Sequence, residues 1–214
     1  MIFVAALNAG EYLTGYSGLV RRGVFTIISA AANSGYQVLT TNQMLNMLTS
    51  GAFFMIAVAM VMGGSAGSTS GGIKALRVGL IAKGIVARIK GVLAPESARV
   101  STSYNHAGKQ VLTNEILSAV MVIAALYVLS YLVGALIGIA YGYEAIPATF
   151  ESISATSNAG LSAGIVTPDA PLVLKVVYIL QMWMGRLEFL TMLALFVSMI
   201  VSFKPRLKAA RWQR

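Results

Sequence analysis

The chain has 214 residues, 57% of them hydrophobic and only 11% charged, with a net charge of +9 and a mean hydropathy of +0.76. Soluble domains carry roughly 25% charged residues, so this chain lacks the polar groups to cover a globule of its size and reads as an α-helical integral membrane protein. It has no cysteine, which excludes disulfides and thiolate metal sites, and its one histidine, His106, leaves little room for a histidine metal site or a Ser–His pair.

In chain order, residues 1–9 (MIFVAALNA) are apolar but reach only ~13 Å as helix, less than half of a ~30 Å hydrocarbon core. No basic residue precedes them, so they read as the outer end of a helix whose beginning is absent rather than as a signal peptide. Residues 24–36 (VFTIISAAANSGY) are too short to span: a short helix followed by Asn-Ser-Gly covers half a membrane and then turns back. An apolar run follows over 44–62 and stops at 63–72, GGSAGSTSGG. Each glycine costs a helix interior about 1 kcal/mol, so five in ten residues break the helix and place Ser65, Ser68, Thr69 and Ser70 where they can meet water or an ion. Three readings stay open for this string. It is a pore-lining loop, a close helix contact through the small-xxx-small spacing of Gly63, Gly67 and Gly71, or the break of a secondary transporter's discontinuous helix. A phosphate-binding P-loop is excluded, because Gly72-Ile73-Lys74 fails its pattern.

The apolar run resumes over 73–90 with a basic flavour, and further spans are expected at 112–142 and 172–203. Between those two lies a second short segment, 149–161 (TFESISATSNAGL). Arg186 has 14 residues of the last span before it and 17 after it, which sets it near the bilayer centre. A central arginine costs about 2.5–3.5 kcal/mol on insertion scales, so it must face protein or water. Glu188, two residues on, lies on a different helix face. Arg186 is then either half of an ion pair with another helix or a fixed positive charge beside a cation path.

The basic residues segregate. Lys74, Arg77, Lys83, Arg88, Lys90, Arg99 and Lys109 lie in the middle segment, and Lys204, Arg206, Lys208, Arg211 and Arg214 in the tail. By the positive-inside rule both segments face the cytoplasm, and the short connections, which hold Arg21, Arg22 and Lys175 against Glu11, Glu144, Glu151 and Asp169, face outside. Charge between long apolar runs sets membrane topology; nucleic acid is not expected as a partner.

The two short segments are a repeat. At an offset of 125, Phe25/Phe150, Ile28/Ile153, Ser29/Ser154, Ala30/Ala155, Asn33/Asn158 and Gly35/Gly160 are identical, six of eleven positions. Met60-x-Met62-Gly63 matches Met182-x-Met184-Gly185 at an offset of 122. Each unit is then a span, a short re-entrant segment and another span. Irregular backbone at membrane depth is tolerated where it is buried in protein or lines water. A glycine there lets successive carbonyls aim at one axis, and a helix C-terminus favours a cation. Rings of such carbonyls are how cation filters replace an ion's hydration shell. The competing reading is an outer loop with one helical turn packed on the bundle.

The strings GGSAGSTSGGIKALR, WMGRLEFLTMLALF (183–196) and SNAGLSAGI (157–165) resemble the Trk/Ktr/HKT superfamily of potassium transporters, most closely the TrkH-type membrane subunit. The resemblance implies a potassium-channel-like fold of span–pore helix–span repeats with re-entrant filter loops. Over this chain it implies a third repeat at 1–90 with a truncated first span, a cytoplasmic basic linker at 91–111, a fourth repeat at 112–203 and a basic cytoplasmic tail at 204–214. It further implies an ion filter at Asn33, Ser34, Gly35, Ser157, Asn158, Ala159 and Gly160. The implied gate is Gly63, Gly64, Ser65, Gly67, Ser68, Thr69, Ser70, Gly71 and Gly72 with Arg186. K+ is the implied transported ion, with no cofactor and no enzymatic activity, in a multi-pass protein of the inner or plasma membrane. Implied partners are membrane lipid, a missing N-terminal half or another copy of the chain, a homodimer of the complete subunit, and a cytoplasmic nucleotide-binding regulatory subunit. Two repeats alone do not surround a pore, so the chain is expected to be a fragment or to assemble with another chain. Against potassium uptake stand two other readings: a non-conducting membrane assembly subunit and a broken-helix, cation-coupled carrier.

Overall fold

A computed structural model describes residues 19–65, 68, 70–93, 102–105, 108–187 and 189–203. The expectations for residues 1–9 and 204–214, and those for Gly67, Thr69 and Glu188, fall outside the described residues. A π-helical turn, Leu19–Val24, runs into α1 (Phe25–Ala32), followed by α2 (Thr41–Met47) and α3 (Ser50–Val61). After the glycine string come α4 (Ala75–Leu93), α5 (Asn114–Ala140), α6 (Ala145–Ser157), α7 (Leu172–Leu187) and α8 (Phe189–Phe203).

The architecture is helical, with two small strand pairs that an all-α reading does not anticipate. β1 (Met62–Gly63) and β2 (Ile73–Lys74) pair in parallel, Met62 opposite Ile73 and Gly63 opposite Lys74. The Ala75 N–H donates to the Gly64 carbonyl at 3.1 Å. The string therefore leaves the helix where its glycines begin and is closed at its base by backbone hydrogen bonds. β3 (Ser103–Asn105) and β4 (Lys109–Val111) form a hairpin inside the segment expected to be a plain linker. Tyr104 buries its ring with Leu80 and Val120, and Lys83 Nζ donates to the Ser103 carbonyl at 3.0 Å, tying the hairpin to α4.

Among the described residues α5 alone is long and apolar enough to cross a membrane. It starts at Thr113, whose hydroxyl accepts the Ile116 N–H, and its buried face recurs every three or four residues through Val120, Ile123, Tyr127, Tyr131, Gly134 and Gly138. The other face is equally apolar and exposed at Val122, Leu129, Leu132 and Leu136, as a helix between protein and lipid requires. Gly134 and Gly138 admit the neighbours: a methyl at Gly134 would strike Gln181 and Ser152, and one at Gly138 would lie 3.1 Å from Ala148. Gln181, 2% exposed, donates to the Ser130 carbonyl at 2.6 Å and to Ser152 Oγ at 3.1 Å, so α5, α6 and α7 share one polar knot inside an apolar bundle. Phe53 on α3 meets Phe150 on α6 edge to face, with centroids 5.1 Å apart.

The expected single span over 172–203 is two helices. The Trp183 and Phe196 rings meet edge to face at 6.3 Å, whereas a straight helix would hold residues at this separation about 20 Å apart. The chain reverses after α7, and Met192 and Phe196 lie along the same groove as Val177, Leu180 and Met184. The reversal falls where the apolar stretch carries its charges. It moves Arg186 from the middle of a span to the exposed last turn of α7, where a cation complements the helix dipole.

Candidate functional site

The repeated sequence builds a repeated backbone. α1 and α6 each end at an asparagine in the left-handed region, Asn33 (φ 49°, ψ 42°) and Asn158 (φ 53°, ψ 35°). In each case the residue after the asparagine donates back into the helix, Ser34 N–H to the Ser29 carbonyl at 3.1 Å and Ala159 N–H to the Ser154 carbonyl at 3.0 Å. Asparagine tolerates this conformation better than other side chains. A glycine at positive φ follows two residues later, Gly35 at 78° and Gly160 at 83°.

These two glycines touch. A methyl on Gly35 would lie 2.9 Å from the Ala159 carbonyl oxygen and 3.3 Å from Gly160 Cα, and one on Gly160 would lie 3.0 Å from Gly35 Cα. The C-terminal ends of two short helices, each with partial negative charge, thus bring their capping turns together backbone to backbone.

The glycine string packs against the same place. A methyl on Gly71 would strike the Ser157 carbonyl and lie 3.0 Å from Asn158 Nδ2, and a methyl on Gly185 would strike the Thr156 carbonyl and lie 3.2 Å from the same amide. Asn158 Nδ2 donates to the Met182 carbonyl at 3.1 Å. Asn33 Nδ2 donates to Ser70 Oγ at 2.7 Å and to the Gly71 carbonyl at 3.3 Å. Ser70 Oγ also accepts the Gly64 N–H at 3.2 Å, and the Ser65 carbonyl accepts from Ser68, so the string is folded on itself. Gly63 is buried, with no room for a methyl beside the Gly71 carbonyl, and Gly72 has a φ of 76°.

Asn33, Ser34, Gly35, Asn158, Ala159, Gly160 and the described part of the string therefore lie in one contiguous region. Ser157 turns its hydroxyl back to the Ile153 carbonyl of its own helix and presents its backbone to Gly71. Arg186 directly follows Gly185, which packs on the end of α6. Among the described residues no group of three His, Cys, Asp or Glu side chains could hold a metal ion, so the oxygens concentrated here are carbonyls, amides and hydroxyls.

Sequence reasoning left out the residues that hold the turns from behind. Glu151, read as an acid of an outward connection, lies within α6 and is 5% exposed. Its two oxygens accept from Ser162 Oγ at 2.9 Å and from the Ala163 N–H at 2.7 Å. Gln37 donates to the Ser162 carbonyl at 3.1 Å and accepts the Ser162 N–H at 3.0 Å. The available signal was register: Gln37 and Ser162 are themselves 125 residues apart, the offset of the repeat.

The TrkH family model, described as a cation transport protein, matches residues 10–204. An uncharacterized cation transporter of Methanocaldococcus jannaschii is 36% identical over 176 residues, covering 82% of this chain and 36% of that protein. The Trk system potassium uptake protein TrkH of Halomonas elongata is 30% identical over 208 residues, covering 92% and 41%. The crystal structure of the potassium transporter TrkH from Vibrio parahaemolyticus superposes with a TM-score of 0.72 at 23% identity, covering 91% of this chain and 41% of that one, and shows a common fold. The chain thus spans about two fifths of the length of these relatives. Because the family model runs through both capped turns, the glycine string and Arg186, the chain is a membrane protein belonging to the TrkH family of cation transport proteins.

Proposed function

We propose that this chain supplies two of the four span–pore helix–span units of a potassium uptake pore, with α1 and α6 as pore helices and the turns 33–35 and 157–160 as filter segments. The observation that carries this reading is the contact between Gly35 and Gly160, two left-handed glycine turns meeting at the ends of two short helices. Backbone oxygens in such turns replace water around a dehydrated K+. Gly71 packs against the Ser157 carbonyl, and the string 63–72 to which it belongs acts as the gate beneath the filter, with Arg186 as a fixed positive charge beside it. The remaining two units come from a preceding segment of the same protein or from another copy of the chain. The complete subunit works as a homodimer in the cell membrane, multi-pass, with its basic segments on the cytoplasmic side. There they meet lipid headgroups and a nucleotide-binding regulatory subunit.

The test is K+ and Na+ uptake by the complete assembly in cells that lack their own potassium uptake. Gly160→Asp adds a side chain at positive φ and a charge beside Gly35, and abolishes or broadens cation selection. Unchanged K+ uptake with unchanged exclusion of Na+ in that variant would overturn the filter assignment.

A further inference from the structure

We propose that Glu151 and Gln37 are positioning residues that fix the outgoing leg of the second glycine turn, and thereby the cation selectivity of the pore. The inference rests on the filter reading above and assigns a task to two side chains that reading does not use. Ser162, two residues beyond Gly160, has its whole polar inventory committed. Its N–H and carbonyl are taken by the Gln37 amide, while its hydroxyl donates to Glu151 and accepts the Gly164 N–H at 3.0 Å. The Ala163 N–H completes the hold on the carboxylate at 2.7 Å. Burying a carboxylate is costly unless its oxygens are hydrogen-bonded, and here each oxygen has a donor from the leg itself. Hydrogen bonds to an ionised acceptor are roughly twice as strong as neutral ones.

Gln37 reaches Ser162 from the other turn, where it stands two residues beyond Gly35. It thus locks the outgoing legs of both turns to a common spacing. The carboxylate exists on one side only, since position 26, the repeat partner of Glu151, is a threonine that donates to the Arg22 carbonyl in the preceding π-helical turn. The first leg is held instead by Ser29 Oγ donating to the Tyr36 carbonyl at 2.7 Å. A turn pinned through Ser162 and Ala163 cannot shift the Gly160 carbonyl to suit a smaller ion without breaking these bonds.

The experiment measures K+ and Na+ uptake side by side in the complete assembly carrying Glu151→Gln, Gln37→Leu, Ser162→Ala or Gly160→Asp, together with the amount of each protein in the membrane. Glu151→Gln and Gln37→Leu should each lower the K+/Na+ ratio roughly tenfold at preserved protein level, the equivalent of one to two net hydrogen bonds. Ser162→Ala should lower it less, because the Ala163 N–H still reaches the carboxylate. A role in folding alone would lower protein amount and leave the ratio where it was. An unchanged ratio in both Glu151→Gln and Gln37→Leu overturns the proposal. If Glu151→Gln does not accumulate, Gln37→Leu decides alone. Gly160→Asp separates the two layers: a collapsed ratio there beside intact ratios in the other variants removes only the clamp, and an intact ratio there removes the filter reading itself.

Discussion

The two capped turns share a backbone and differ in what holds them. At the first, Asn33 reaches into the glycine string, bonding Ser70 and Gly71, and the outgoing leg is held by the Ser29 hydroxyl and by the Gln37 amide, with no carboxylate. At the second, Asn158 reaches a carbonyl of the following helix, at Met182, and the outgoing leg is bound to a buried carboxylate. Sequence identity at six positions thus fixes conformation, while the residues between them set the coupling. The first turn is hydrogen-bonded to the described part of the string, whereas the second packs against it at Gly71 and is hydrogen-bonded to α7 and to Glu151. If the string gates the path as proposed, the first turn is the one hydrogen-bonded to it and the second the one tied to the bundle.

The most severe way to break this comparison is to deny each turn its glycine. Gly35→Ala and Gly160→Ala each carry about 1–2 kcal/mol of left-handed strain and push a methyl to 2.9–3.0 Å from the opposing backbone. Both variants are expected to lose K+/Na+ discrimination by about tenfold or more, as strain of this size displaces the carbonyls. A loss at Gly160 with none at Gly35 would mean that the first turn is packing and that only one of the pair meets the ion. Measured uptake ratios decide between them.

A finer separation comes from Asn33→Gly and Asn158→Gly, which keep the left-handed backbone permissible and delete only the amide. Removing the Asn33 amide frees Ser70 and Gly71, and transport should rise about fivefold, the equivalent of one net hydrogen bond near 1 kcal/mol, with selectivity unchanged. Removing the Asn158 amide should leave transport close to wild type and lower the resistance of the purified protein to thermal unfolding by about 1 kcal/mol. Equal effects on transport would erase the distinction between gate side and frame side.

The repeat and its two turns were legible because their signals are local. Asparagine before a glycine at the end of a short helix is a conformational instruction within a few residues, and the glycine string breaks a helix wherever it lies. The clamp was not legible, because Glu151 reads as one acid among polar connections until the fold decides which face of α6 turns inward. The reversal after α7 was equally hidden. Arg186 and Glu188 interrupt the run, but such charges fit an ion pair in one straight span as well as a turn between two helices, and the Trp183–Phe196 contact decides between them. The parallel pairing of Met62–Gly63 with Ile73–Lys74 joins the two ends of a string whose sequence has no strand character.

That reversal also rescales the smallest effect expected here, at Arg186. A charge buried at mid-span would dominate conduction, whereas Arg186 stands exposed in the last turn of α7, where water and the helix dipole attenuate it. In the proposed role of a barrier to cations, an exposed charge is worth what two unit charges about 6 Å apart in water are, about 0.7 kcal/mol. Arg186→Ala should therefore raise K+ flux roughly threefold, that energy expressed as a rate factor, and Arg186→Lys should stay near wild type because the charge is kept. Flux falling in parallel with protein amount in both variants would assign Arg186 to an ion pair that needs the guanidinium fork, since lysine does not replace bidentate geometry. A rise in Arg186→Ala larger than that from Asn33→Gly would shift the main barrier from the first turn's grip on the string to the end of α7.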